Sequence, residues 1–172
     1  MTLSRLVAGT RFFFFASLSA ACAGHPSDAV LGRRLVEHHA EFDSLVSMAQ
    51  IDSHVTRIAQ DFTWLDTSAA WPRPNDRLGF SQERWNDYRR RFRTLGLDLG
   101  ITRTEDEPGV VFLDVSGVGL VTGGASKGYA YSLRPLAPLV ASLDDPDTGG
   151  EKHGRLYKPL GGPWYIYYEW GG

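Results

Sequence analysis

The sequence has one cysteine in 172 residues. A single thiol cannot close a bridge within its own chain, so an internal disulfide framework is excluded. It also lacks a long hydrophobic run. The stretch Phe12 to Ala21 is ten apolar or small residues, about half of the roughly 20 that a helix needs to cross a bilayer. An excess of positive charge is missing too: the net charge is -2, and residues 1–21 hold Arg5 and Arg11 but no acid. Without them the chain stands near -4, with sixteen bases against twenty acids, which excludes an electrostatic grip on a phosphate backbone. Phosphate cradles are absent as well. Lys127 follows Ser126 and precedes a strand, where a P-loop needs Gly-Lys-Ser/Thr at a helix entrance, and Gly117-Val118-Gly119 lacks the third glycine of a dinucleotide fingerprint. There is no internal repeat.

What is present suits one packed domain. Hydrophobic residues make up 42% of the chain and charged ones 22%, a globular composition at a length too short for two comfortable domains. Nine Phe, seven Tyr and five Trp favour a sheet-rich core or a stacking surface.

The front of the chain has a separate logic. Met1 to Arg11 is a short basic region, and the ten-residue core that follows has four consecutive Phe, leaving no polar face for a soluble helix. This is the pattern of an export signal peptide over 1–21. Leu18-Ser19-Ala20-Ala21-Cys22 then resembles the lipobox of bacterial lipoprotein precursors, with Leu at the fourth and Ser at the third position before the cysteine. The resemblance implies that the Cys22 thiol takes diacylglycerol and that cleavage makes Cys22 the first residue, tied to a membrane by its acyl chains. In that family an Asp after the cysteine commonly retains a protein at the inner membrane. Ala23 stands there instead, which points to the outer membrane, facing the periplasm. The rival reading is ordinary cleavage after Ala23, giving a soluble periplasmic or secreted protein. Ser126 to Ser132 and Trp164 to Trp170 resemble stretches of uncharacterised bacterial exported proteins, a likeness that implies no role.

After a tether at 22–27, the mature chain reads as an α+β domain over 28–172. Leu31, Leu35, His38, Phe42, Leu45, Val46 and Ala49 form one face of an amphipathic helix over 28–50. Residues 54–65 read as a strand carrying Ile58, Phe62 and Trp64 on one face, and 66–79 as a proline-rich loop. Ser81 caps a second helix whose stripe is Trp85, Tyr88, Phe92 and Leu95, with Phe80 stapled on Trp85 and Gly96 as the left-handed stop. The period then changes to two. Val110 to Val115 is a strand, and glycine turns at 117–119 and 123–128 lead into strands at 120–122 and 129–132. Residues 134–154 read as a long mobile loop, and 155–160 and 164–170 as a hairpin about Gly161-Gly162. Two N-terminal helices followed by strands imply helices packed on an antiparallel β-meander. An outer-membrane barrel needs eight or more strands, which a chain with a helical first half does not supply.

Candidate chemistry is sparse. Gly124-Ala125-Ser126-Lys127-Gly128 matches the nucleophile-elbow pattern, with Asp144, Asp145, Asp147 and His153 following in hydrolase order, but the serine leads into a strand rather than a helix. His38 and His39, near Glu37 and Glu41, invite a metal, yet adjacent residues point about 100° apart on a helix. No metal and no cofactor is expected. Arg89, Arg90, Arg91 and Arg93 suit the dipole at a helix end and could meet anionic headgroups. On the last strand Trp164, Ile166, Tyr168 and Trp170 share one face, and Tyr165, Tyr167 and Glu169 the other, which could form an aromatic platform for glycan or peptide. The expectation is a non-enzymatic, lipid-anchored envelope protein that binds a protein or glycan partner. A small serine hydrolase using Ser126, and a glycan or headgroup binder, stand as the alternatives.

Overall fold

The computed structural model describes residues 24–65, 79–120 and 123–171. The leader and Cys22 lie outside these residues, as does the loop at 66–79 apart from Gly79. The fold is α+β. Helices α1 (Asp28–Glu37), α2 (His39–Ile51) and α3 (Gln82–Leu95) accompany strands β1 (Val55–Ile58), β2 (Thr63–Leu65), β3 (Gly100–Thr102), β4 (Val111–Leu120), β5 (Gly123–Tyr131), β6 (Gly154–Gly161) and β7 (Trp164–Gly171). The strands form one antiparallel sheet in the order β2-β1-β3-β4-β5-β7-β6. This is not a strict meander. After β5 the chain passes the place of its neighbour, lays β6 on the outer edge, and returns as β7 to pair with β5.

The helix expected over 28–50 is two helices. His38 leaves helical geometry at φ -124° and ψ 28°, and the bend lets both halves follow a twisted sheet. Leu31 and Leu35 are buried on α1, and Phe42, Leu45, Val46, Met48 and Ala49 on α2, while His38 is only half-buried. Residues 54–65 form a hairpin rather than one strand. The reversal between β1 and β2 separates Ile58, 1% exposed, from Trp64, 45% exposed.

Helix α3 obeys its local signals. Ser81 Oγ accepts from the Arg84 N–H at 3.0 Å. Gly96 takes the left-handed conformation, φ 63°, and lets the Leu97 N–H return to the Phe92 carbonyl at 2.9 Å. The staple differs in detail: Phe80 lies 5.8 Å from the Tyr88 ring, one turn beyond Trp85.

The glycine turns expected around 117–119 and 123–128 are strand interior instead. β4 and β5 pair along their lengths, with a register shift between Asp114 and Ser116. Gly128 fits there because a side chain would meet the Leu113 carbonyl oxygen at 2.2 Å.

The segment 134–153 has no helix or strand, with Gly154 already opening β6, yet its first half is docked. Leu136 and Leu143 are buried. Pro138 and Val140 exchange backbone hydrogen bonds with Tyr157 of β6, at 3.0 and 2.8 Å, which covers that sheet edge.

All three helices contribute to the core on one face of the sheet. Phe42 meets Tyr129 and Trp164 edge-on at 4.7 and 5.7 Å, and the Tyr129 hydroxyl donates to the Leu31 carbonyl at 2.9 Å. Lys127, 1% exposed, lies on this face too, its Nζ 2.8 Å from the Leu143 carbonyl and from Asp28 Oδ1, and 3.0 Å from Asp144 Oδ1. Lys158 reaches Asp28 Oδ2 at 2.9 Å. Burial alone would raise the Asp28 pKa; the Leu143 N–H and the two lysines outweigh it and hold the carboxyl down at about 2.

Candidate functional site

Residues alternate across a strand, so each strand that feeds the helix core also supplies an opposite face. On that open face the sheet carries Arg57 (β1), Thr102 (β3), Phe112 and Asp114 (β4), Ser126 (β5), Tyr167 and Glu169 (β7), and Arg155 and Tyr157 (β6). The face has two halves. One is apolar: Val110, Phe112, Ala130, Tyr157 and Tyr167 form a second buried cluster beneath Leu136 of the docked loop. The other is a polar cleft of about 280 Å³ whose lining includes Arg57, Thr102, Asp114, Ser126, Arg155, Tyr167 and Glu169.

The cleft is built around a carboxylate, Asp114, which is 4% exposed. Its Oδ2 accepts from Arg57 Nη1 and from the Thr102 hydroxyl, and its Oδ1 from the Tyr167 hydroxyl. Arg57 also donates to the Leu99 carbonyl at 3.0 Å. Burial first, and Asp114 second, push the Tyr167 phenol far above its ordinary range, so it stays a protonated donor. A second network lies beside the first. Arg155 meets Glu107 and Glu169 at 2.8 and 2.9 Å and stacks 4.4 Å above the Phe112 ring. Burial would lower the Arg155 pKa, but Glu169 and Glu107 more than offset it. The Tyr157 hydroxyl donates to Glu107.

Most polar atoms of these groups are spent on one another, while Arg155 Nε and Glu107 Oε2 have no hydrogen-bond partner among the described residues. The arrangement sets paired donors and acceptors around a small polar cleft. Ser126 lines the cleft and a neighbouring shallow groove of about 550 Å³ that also touches His153, Gly117, Gly124 and Trp170. No hydrogen bond joins Ser126 to His153 among the described residues. Asp144 cannot orient a base for it, because it pairs with Lys127, and Lys127, adjacent on the strand, points to the opposite sheet face. Asp145 and His153 are exposed, and Asp147 accepts the Gly149 N–H at 2.9 Å. Gly124 to Gly128 lies wholly within β5, whereas an elbow needs a strand-to-helix turn.

The other sequence candidates are dispersed. Tyr167 is 1% exposed and faces Asp114, so its ring is core and not a platform; Tyr165 is half-buried beside Tyr157, ring centroids 6.3 Å apart. Arg90 and Arg91 reach Asp87 at 2.9 and 3.6 Å, and Arg89 stacks 5.0 Å over Trp85. Arg93 is exposed. His39 pairs with Asp43 at 3.0 Å on the surface. Among the described residues no three His, Cys, Asp or Glu side chains group as metal ligands, and no helix is long and apolar enough to cross a membrane. A larger hollow of about 690 Å³ runs beside Gln50, Thr56 and Arg103. It gathers fewer ionisable groups, and Arg103 there donates to the Ala49 carbonyl.

The sequence reading missed Asp114, Arg57 and Arg155. One signal was available: Asp114 interrupts the apolar run Val110 to Val115, and a charge in a buried strand demands a partner. Compared with protein-family models, curated proteins and solved structures, the chain finds no match.

Proposed function

We propose that this protein is exported, anchored to the cell envelope by lipid on Cys22, and acts as a non-enzymatic binding module through the open face of its sheet. The anchoring half of the reading is supported by the basic start, the ten-residue apolar core and the small residues before the single cysteine. The observation that carries the binding half is the Asp114 network. A buried carboxylate with Arg57, Thr102 and Tyr167 fixed around it makes a preformed polar cleft. Its residues satisfy each other's charge without a nucleophile–base pair, which suits recognition of a polar envelope component, a glycan or a peptide, better than bond cleavage.

Two experiments test the halves separately. Cys22→Ala in the full-length precursor should move the protein out of the membrane fraction; a variant that stays membrane-bound overturns the anchor. A photo-crosslinking residue at Ser126, compared in cells with one at the exposed Val36, should give a discrete adduct at Ser126 and none at Val36. Equal labelling at both positions overturns the cleft as the binding surface.

A further inference from the structure

We infer that the acylated chain is tethered so tightly that one end of the domain, the hairpin end of β4 and β5 with the terminus of β7, rests on the bilayer surface. This rests on the lipid-anchoring reading above and extends it from an attachment to an orientation. Three residue steps separate Cys22 from His25, and at full extension they span about 10 Å. His25 is already part of the domain: its Nδ1 lies 2.8 Å from Ser116 Oγ, and its ring stands edge-on to Tyr168 at 5.5 Å. The headgroup layer takes up roughly 6 Å on each side of the hydrocarbon. A tether of about 10 Å therefore does little more than cross that layer, and the part of the domain around His25 is drawn onto it.

The register of the sheet says which part this is. Ser116 is followed two residues on by Val118, which is 45% exposed. Val118 pairs with Ala125, and Ala125 pairs on its other side with Trp170. The Trp170 ring lies 6.1 Å from Tyr168, the same ring that receives His25. Val118 and Trp170 thus flank the point where the chain enters. The opposite end of β5 leads to Leu133, 80% exposed. It lies eight residues beyond Ala125, about 25 Å along the strand direction, which the tether cannot span. Exposed apolar area alone would choose Leu133 as the membrane contact; tether length chooses Val118.

The test uses the full chain matured in bacterial membranes. Val118→Cys and Leu133→Cys each supply a single free thiol, since an acylated Cys22 sulfur is blocked. Each is labelled with a fluorophore and reconstituted in phosphatidylethanolamine–phosphatidylglycerol vesicles carrying a shallow doxyl quencher. Quenching should be several-fold stronger at 118 than at 133. Inserting about 20 Gly/Ser residues after Gly24, enough for ends roughly 25 Å apart, should abolish that difference. With lipid on Cys22 verified by intact mass, equal or reversed quenching overturns the orientation and leaves the anchor standing, and a difference that survives the spacer overturns the role of tether length. A mass without lipid overturns both.

Discussion

The two faces of this sheet come from alternate residues of the same strands, yet they are buried by different means. The helix face is closed mainly by apolar packing, with Phe42, Tyr129 and Trp164 in edge-on contact, and it also holds buried ion pairs, Asp28 with Lys127 and Lys158, and Asp52 with Arg84. The open face has no helix over it. A docked loop covers its apolar half, and the rest is sealed by charge paired to charge around Asp114 and Arg155. Apolar packing tolerates change in proportion to the volume lost, whereas a paired buried charge fails when either partner goes. Both faces contribute to stability; the second also fixes a polar pattern, the one that the proposed binding role would use.

That contrast can be broken first on the helix side. Phe42→Ala removes a fully buried ring and should cost about 3–5 kcal/mol in denaturant unfolding. A loss under 1 kcal/mol would mean that the helices are held by something other than this packing. Asp114→Ala should cost nearly as much, about 3 kcal/mol, by leaving Arg57 and Tyr167 unpaired. Asp114→Asn keeps an acceptor and should recover part of that loss. If the Asn and Ala variants are equally unstable, the charge and not the hydrogen bonding is what the open face needs.

The Asp28 ion cluster gives a pH readout. The folded Asp28 carboxyl is depressed to about 2 from 3.8. Its contribution is complete above the unfolded value and disappears as pH falls through the folded one. Stability should therefore drop as pH goes from about 4 towards about 2, by roughly 2 kcal/mol, and Asp28→Asn should flatten that slope. The smallest effect expected is at Ser126. Ser126→Ala should leave stability within about 1 kcal/mol and should change no ester turnover; a serine-dependent turnover would restore the hydrolase reading.

Legibility in the sequence follows the same division. Periodicity exposed what the helix face needs, so Leu31, Phe42, Trp85 and Phe92 were placed in the core, and the α+β class with them. The period of two on Trp164 to Trp170 gave the faces of β7 correctly. It could not say that the second face was also covered, because the cover, Leu136, lies in a segment with neither helical nor strand period. The break at His38 left no mark in the apolar stripe, since both halves keep the same spacing. The β6–β7 order was hidden for another reason: a hairpin signal fixes which two strands pair with each other and leaves open which of them joins the rest of the sheet. The cleft depends on pairs far apart in the chain, Arg57 with Asp114 and Arg155 with Glu107, and no local pattern announces those.

Everything said of compartment and orientation depends on chemistry at Cys22, so the most direct measurement is the mass of the N-terminal peptide from protein extracted from bacterial membranes. The account predicts a first residue of Cys22 carrying diacylglycerol on sulfur. An unmodified terminus beginning after Ala23 would contradict it and leave a soluble domain with the same two-faced sheet.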